Sequence, residues 1–219
     1  MCGIVGYTGD SQAVTPVIEG LRRLEYRGYD SAGLAVLNGK MHRVRSTGRV
    51  RDLEVAASGL RSTIGIAHTR WATHGAPSSA NAHPHFSRNG DNARIALVHN
   101  GIIENHEELR AELTQAGYVF ESQTDTEVIA HLIHYYVNQK NKSLLEATQM
   151  LVDELTGAFA IGVISLQNPE EMICARLGCP LIIGLGDTQN FIASDISALL
   201  AITKKVIYLE DGDVVQVKK

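Results

Sequence analysis

Residues 105–155 read as three helical segments in direct succession, whereas the stretches before and after them read as short apolar strands broken by Gly, Pro, Asn and Asp. This order constrains the fold more than any single motif does. A sheet built from alternating βαβ units needs a strand between one helix and the next, and here that strand is missing twice. The pattern therefore predicts an α+β chain assembled in layers. No internal repeat, low-complexity tract or linker interrupts it, so residues 2–219 are expected to form one domain.

Local signals fill in the elements. Residues 2–8 read as a strand, and 11–26 as a helix in which Val14, Ile18, Leu21 and Leu24 recur at helical spacing, with Thr15-Pro16 marking its start. Asn38-Gly39 lies between two strand-like runs and predicts a hairpin, because both residues accept positive φ. A short helix over 49–58 and a buried strand over 63–68 follow. The polar sequence from Thr69 to Asn92 is longer than a structureless connection in a compact domain and predicts a binding loop or lid. Residues 93–99 form the next strand, ending at Asn100-Gly101. Of the three helices, the first is expected to be capped by Asn105 and stopped by Gly117. The second follows a capping-box spacing, Thr124-Asp125-Thr126-Glu127, and the third covers 143–155.

Composition narrows the functional classes. A net charge of −4 leaves no electrostatic footprint for nucleic acid or an anionic membrane, and no apolar run is long enough to span a bilayer. Three scattered cysteines, Cys2, Cys174 and Cys179, argue against a disulfide framework and for a cytoplasmic setting, with the latter two read as structural thiols.

Cys2 is different in kind. Once Met1 is trimmed, its sulfur and a free α-amine lie a few bonds apart, and that amine titrates at about 7.7–8.0 when unperturbed. Nucleophile and base are then adjacent by covalent geometry. Amide cleavage also needs donors for a tetrahedral oxyanion and groups to hold charged substrate ends. Asn100-Gly101, just past a strand, offers a side-chain amide beside a backbone N–H. Arg70 suits an α-carboxylate and Asp125 an α-ammonium, so together they would read an α-amino acid.

Six motifs in order carry a resemblance to a known family: Cys2-Gly3-Ile4-Val5-Gly6, the run Arg27-Gly28-x-Asp30-Ser31-Ala32-Gly33, His68 to Gly75, Asn81-Ala82-His83-Pro84-His85, His99 to Asn105, and Thr124-Asp125-Thr126-Glu127. Nearly the whole chain resembles a class II glutamine amidotransferase (glutaminase) domain of the N-terminal-nucleophile hydrolase superfamily. The resemblance implies a four-layer α/β/β/α sandwich. It also implies that Cys2 attacks the side-chain amide of L-glutamine, that Asn100 and Gly101 stabilise the oxyanion, and that Arg70 and Asp125 bind the glutamine carboxylate and amine. Thr73 and His74 would line the pocket, Trp71 would sit in the closing loop, and Arg27 would support the site. No cofactor and no metal is implied.

Within the family, the Leu21–Gly33 stretch is most like the branch whose members continue into a sugar-phosphate isomerase module that binds fructose 6-phosphate and assemble as homo-oligomers. That module is missing from the 219 residues, so a glutaminase half is expected. Two other readings compete. His83-Pro84-His85 with His74 could be imagined as metal ligands, but the chain lacks a Cys pair or a helix-borne His-x-x-x-His to support them. His131 and His134 are read as packing or surface groups. A domain that binds glutamine without turning it over is the non-enzyme alternative, and a retained Met1 would favour it.

Overall fold

The structure, a computed structural model, describes residues 2–71, 76–89 and 92–219. The first part of the chain forms β1 (Gly3–Gly9), α1 (Val14–Leu24), β2 (Ser31–Asn38), β3 (Lys40–Ser46), α2 (Val50–Ala56), β4 (Ile64–Arg70), β5 (His85–Asn89) and β6 (Asn92–Ile103). Three helices then follow without a strand between them: α3 (His106–Gln115), α4 (Thr126–Gln139) and α5 (Leu144–Glu154). The chain closes with β7 (Gly157–Ser165), β8 (Asn168–Leu177), β9 (Ile182–Leu185), β10 (Gln189–Ala193), β11 (Val206–Tyr208) and β12 (Val214–Lys218).

The strands make two sheets. One has seven strands in the order β11-β9-β10-β1-β4-β2-β3, the other five in the order β12-β8-β7-β6-β5, and every pairing within them is antiparallel. Side-chain alternation along the strands sorts the apolar residues into three buried layers. Val5, Tyr7, Leu34, Val36 and Ala67 face α1 and α2 on the outside of the first sheet. Ile95, Leu97, Ile161, Val163 and Ile173 face α3, α4 and α5 on the outside of the second. Ile4, Ile64, Ile66, Ala96, Val98, Ala160 and Ile164 fill the space between the sheets. Three apolar layers separate four structural ones, giving the expected α/β/β/α sandwich.

The inner layer changes character along its length, and this positions the site. On β4 the inward face reads Ile64, Ile66, His68, Arg70, and on β6 it reads Ala96, Val98, Asn100. β1 runs between β10 and β4, and its period of two puts Cys2 on the face of Ile4. One end of the space between the sheets is therefore polar, and Cys2, Arg70 and Asn100 all reach it.

Three local expectations are corrected. The stretch from Thr69 to Asn92 is not one loop, because β5 pairs with β6, His85 lying opposite Leu97. As an edge strand, β5 needs little apolar sequence of its own, which is why its composition hid it. Asn105 stands at the start of α3 without capping it, and its side chain bridges the Thr156 N–H and the Glu154 carbonyl instead. No capping box forms at Thr124-Glu127. Among the described residues, no helix is long and apolar enough to cross a membrane.

Candidate active site

Cys2 meets the backbone of Trp71 where β1 and β4 leave the sheet. Its Sγ accepts from the Trp71 N–H at 3.3 Å and lies 3.6 Å from the Trp71 carbonyl oxygen. Burial pushes the Cys2 thiol up, while the Trp71 N–H, Arg70 and Arg27 pull it back. A thiol held above its ordinary value stays protonated at neutral pH and needs a base before it can attack.

The glycine-rich run after α1 explains how Trp71 is held. A Cβ on Gly28 would lie 2.9 Å from both the Arg70 carbonyl carbon and the Trp71 nitrogen, so only glycine allows that approach. Asp30 N–H donates to the Arg70 carbonyl at 3.0 Å, and the Tyr29 ring meets Trp71 edge-on at 5.8 Å. Arg27, buried, donates from Nη1 to the Ser194 carbonyl at 3.2 Å and pairs with Asp195 at 3.0 Å. Ser194 in turn accepts the Ile4 N–H through Oγ at 2.9 Å and donates its own N–H to the Ile4 carbonyl. Arg27 thus braces the turn that closes over the start of β1. Sequence reasoning missed Ser194 and Asp195, since nothing local ties them to Cys2.

Asn100 and Gly101 lie on β6, across from β1. Asn100 Nδ2 donates to the Cys2 carbonyl at 3.2 Å. Gly101 has φ of +126°, and a Cβ there would fall 2.0 Å from the Ala158 carbonyl oxygen, so no other residue fits. Asp125 is buried, and its Oδ2 accepts the Ile103 N–H at 2.9 Å. A pocket is lined by Cys2, Arg70, Trp71, His99, Gly101 and Asp125 together with their neighbours. Within it, the buried Arg70 guanidinium feels the opposite charges of Asp125 and Asp30. Thr73 and His74 lie outside the described residues. Cys2, Arg70, Trp71, Gly101 and Asp125 meet at this pocket, with Asn100 bonded to Cys2 and Arg27 bracing the turn beside it.

Behind the pocket stands a buried histidine network whose role sequence reasoning did not find. The His83 ring stacks on His68 at 4.0 Å and meets His85 edge-on. Thr126 Oγ1 lies 2.9 Å from His99 Nδ1 and 3.3 Å from His83 Nε2, while Thr124 Oγ1 lies 3.1 Å from His85 Nε2. Burial lowers all four rings, His83 well below the ordinary histidine range and His68 and His85 to about 3, so the network is neutral near pH 7. Among the described residues, no three His, Cys, Asp or Glu side chains are grouped so as to hold a metal ion. His131 and His134 lie elsewhere, against Tyr118 and Phe120, on a larger cleft of about 440 Å³ whose lining residues include no Cys, Ser or Thr.

Residues 68–201 match a family described as the glutamine amidotransferase domain. The chain belongs to that family. Over its whole length this amidotransferase domain is 56% identical to glutamine–fructose-6-phosphate aminotransferase (isomerizing) of Xylella fastidiosa strain Temecula1 and 57% identical to the Bordetella pertussis protein of the same name. It spans 36% of the length of each, about a third. Among solved structures, 99% of the chain superposes on glutamine phosphoribosylpyrophosphate amidotransferase from B. subtilis, with a TM-score of 0.81 and 27% identity, covering 49% of that chain. The allosteric regulatory enzyme of purine biosynthesis gives 0.82 and 26%, with the same coverage. The amidotransferase domain therefore has the N-terminal-nucleophile hydrolase fold.

Proposed function

We propose that the chain is a single glutaminase domain, residues 2–219, in which Cys2 hydrolyses the side-chain amide of L-glutamine. The observation that carries this is the meeting of Cys2 with the Trp71 peptide, the Asn100 amide and a pocket bearing Arg70 and Asp125. Removal of Met1 frees the Cys2 α-amine, which takes the thiol proton as sulfur adds to the amide carbon. The oxyanion is held by Asn100 Nδ2 and the Gly101 N–H. When the C–N bond breaks, the proton goes to the leaving nitrogen, ammonia departs, and water opens the thioester to glutamate. Arg70 pairs with the substrate carboxylate and Asp125 with its ammonium, with Thr73, His74 and Trp71 completing the pocket and Arg27 bracing it.

By the names of its relatives, the ammonia would be passed to fructose 6-phosphate, and by the family resemblance this would form glucosamine 6-phosphate, in the part of those proteins that this chain does not span. The three free cysteines suit a cytoplasmic setting.

The test is ammonia release from glutamine by protein whose trimmed N-terminus has been verified by mass spectrometry. Cys2→Ala should abolish release and leave the thermal unfolding midpoint unchanged. Turnover that survives Cys2→Ala would overturn the reading, and glutamine binding without turnover by the trimmed protein would make the domain a sensor.

A further inference from the structure

His68 stands on β4 at the point where the layer between the sheets turns polar, and its ring reaches across to β6. Its Nε2 lies 2.9 Å from the His99 carbonyl oxygen and 3.0 Å from Asn100 Oδ1. The carbonyl oxygen can only accept, so Nε2 must carry the proton. With a donor at Nε2, the Asn100 group facing it must be the amide oxygen, and the NH2 group is turned the other way, where it donates to the Cys2 carbonyl. A flipped amide would set two donors against each other at His68 and two acceptors against each other at Cys2. From this geometry we infer that His68 is a positioning residue, holding the Asn100 carboxamide with its NH2 group toward the reacting centre.

The inference rests on the amide-hydrolysis reading and deepens it. An oxyanion hole works through donors already oriented before charge develops, and an amide free to flip would present an oxygen there part of the time. The ring is itself constrained. His83 stacks on it within 14° of parallel, and His83 is tied down by the His99 N–H at Nδ1 and by Thr126 at Nε2. Among the described residues, His68 Nδ1 is buried and has no hydrogen-bond partner. A second proton there would find no acceptor, which agrees with a ring held neutral down to about pH 3.

Trimmed protein, His68→Phe and His68→Gln are compared with glutamine as substrate. Phe keeps the ring and loses the donor, whereas the Gln side-chain nitrogen falls close to the place of His Nε2. We expect His68→Phe to lower kcat about 10- to 100-fold with KM changed less than about twofold, and His68→Gln to recover part of the loss. Alkylation of Cys2 by iodoacetamide forms no tetrahedral oxyanion and should keep its rate in both variants. An unchanged kcat in His68→Phe overturns the inference. So does parallel loss of kcat and alkylation with no rescue by Gln, which is the mark of a merely structural role. Should His68→Phe not fold, nitrogen-15 spectra of the imidazole in the unaltered protein decide. A neutral Nε2–H tautomer that does not titrate above pH 5 sustains the inference, and an Nδ1–H tautomer or a titration near pH 6.5 overturns it. Failure of the amide-hydrolysis reading would look different, as absent turnover in the unaltered protein whatever the His68 tautomer.

Discussion

Two helices of this domain begin with the same sequence device, and only one uses it. At α5 the residues are Ser143-Leu144-Leu145-Glu146, and Ser143 Oγ accepts the Glu146 N–H while the Glu146 carboxylate accepts the Ser143 N–H, a complete capping box at the surface. At α4 the residues are Thr124-Asp125-Thr126-Glu127, and no side-chain cap forms. Thr124 turns to His85, Asp125 to the Ile103 N–H, and Thr126 to His83 and His99. Glu127, only 2% exposed, accepts from the Glu121 and Ser122 N–H groups and the Ser122 hydroxyl. The α5 motif satisfies its own helix, while the α4 motif gives up local satisfaction and ties the helix to β6 and the site. A residue pattern sets which hydrogen bonds are available, and the surroundings choose among them.

The sharpest way to break this comparison is Glu127→Gln, which leaves a buried N–H without an acceptor and should cost about 2–4 kcal/mol in urea unfolding. The carboxyl also carries a pH signature. Burial alone would raise it, but His131, the two N–H groups and the Ser122 hydroxyl hold it at about 2. With a folded value below the unfolded one, its stabilisation is complete above about pH 4.5 and is lost as pH falls toward 2. Glu127→Gln should flatten that segment. It should leave the loss that begins below about pH 6.5, where the unfolded chain protonates histidines that the fold keeps neutral. An unfolding curve with the same acid slope as the unaltered protein would remove Glu127 from its place in the comparison.

Asp125→Asn is smaller in free energy and falls on function. The amide oxygen can still accept the Ile103 N–H, so the fold should hold, while the charge facing a substrate ammonium is gone. We expect kcat/KM for glutamine to drop about 10- to 100-fold. Unchanged kinetics would assign Asp125 to structure alone.

Smallest is the α5 cap. Ser143→Ala should cost about 1 kcal/mol with no effect on turnover, and Glu146→Gln should be nearly silent, since glutamine serves in a capping box as well. A cost at Ser143 exceeding that at Glu127 would invert the comparison.

How much of this could be read from the chain follows from the range of the interactions. The layer order was legible because three successive helices exclude a wound parallel sheet, and the strand that follows Cys2 was legible because its apolar run is short and ends in polar residues. The part played by His68 was not. Its signal was present in the alternation Ile64, Ile66, His68, Arg70, which continues an inward-facing row, but the acceptor that gives the ring meaning sits on another sheet. Ser194 and Asp195 were invisible for the same reason, being joined to Ile4 and Arg27 only by the fold. Glu127 misled because its nearest sequence neighbours supply a plausible local partner that the buried donors of Glu121 and Ser122 outcompete.

The place of β1 in the middle of its sheet has a consequence in time. Val5 is bonded on one side to Ala67 and on the other to Ala193. Strand β1 therefore cannot hold both of its final neighbours until roughly 190 further residues have been made, or about 10–40 s at ordinary elongation rates. During that interval one edge of β1 lacks its final partner. For this strand the order of synthesis and the order of assembly are opposed.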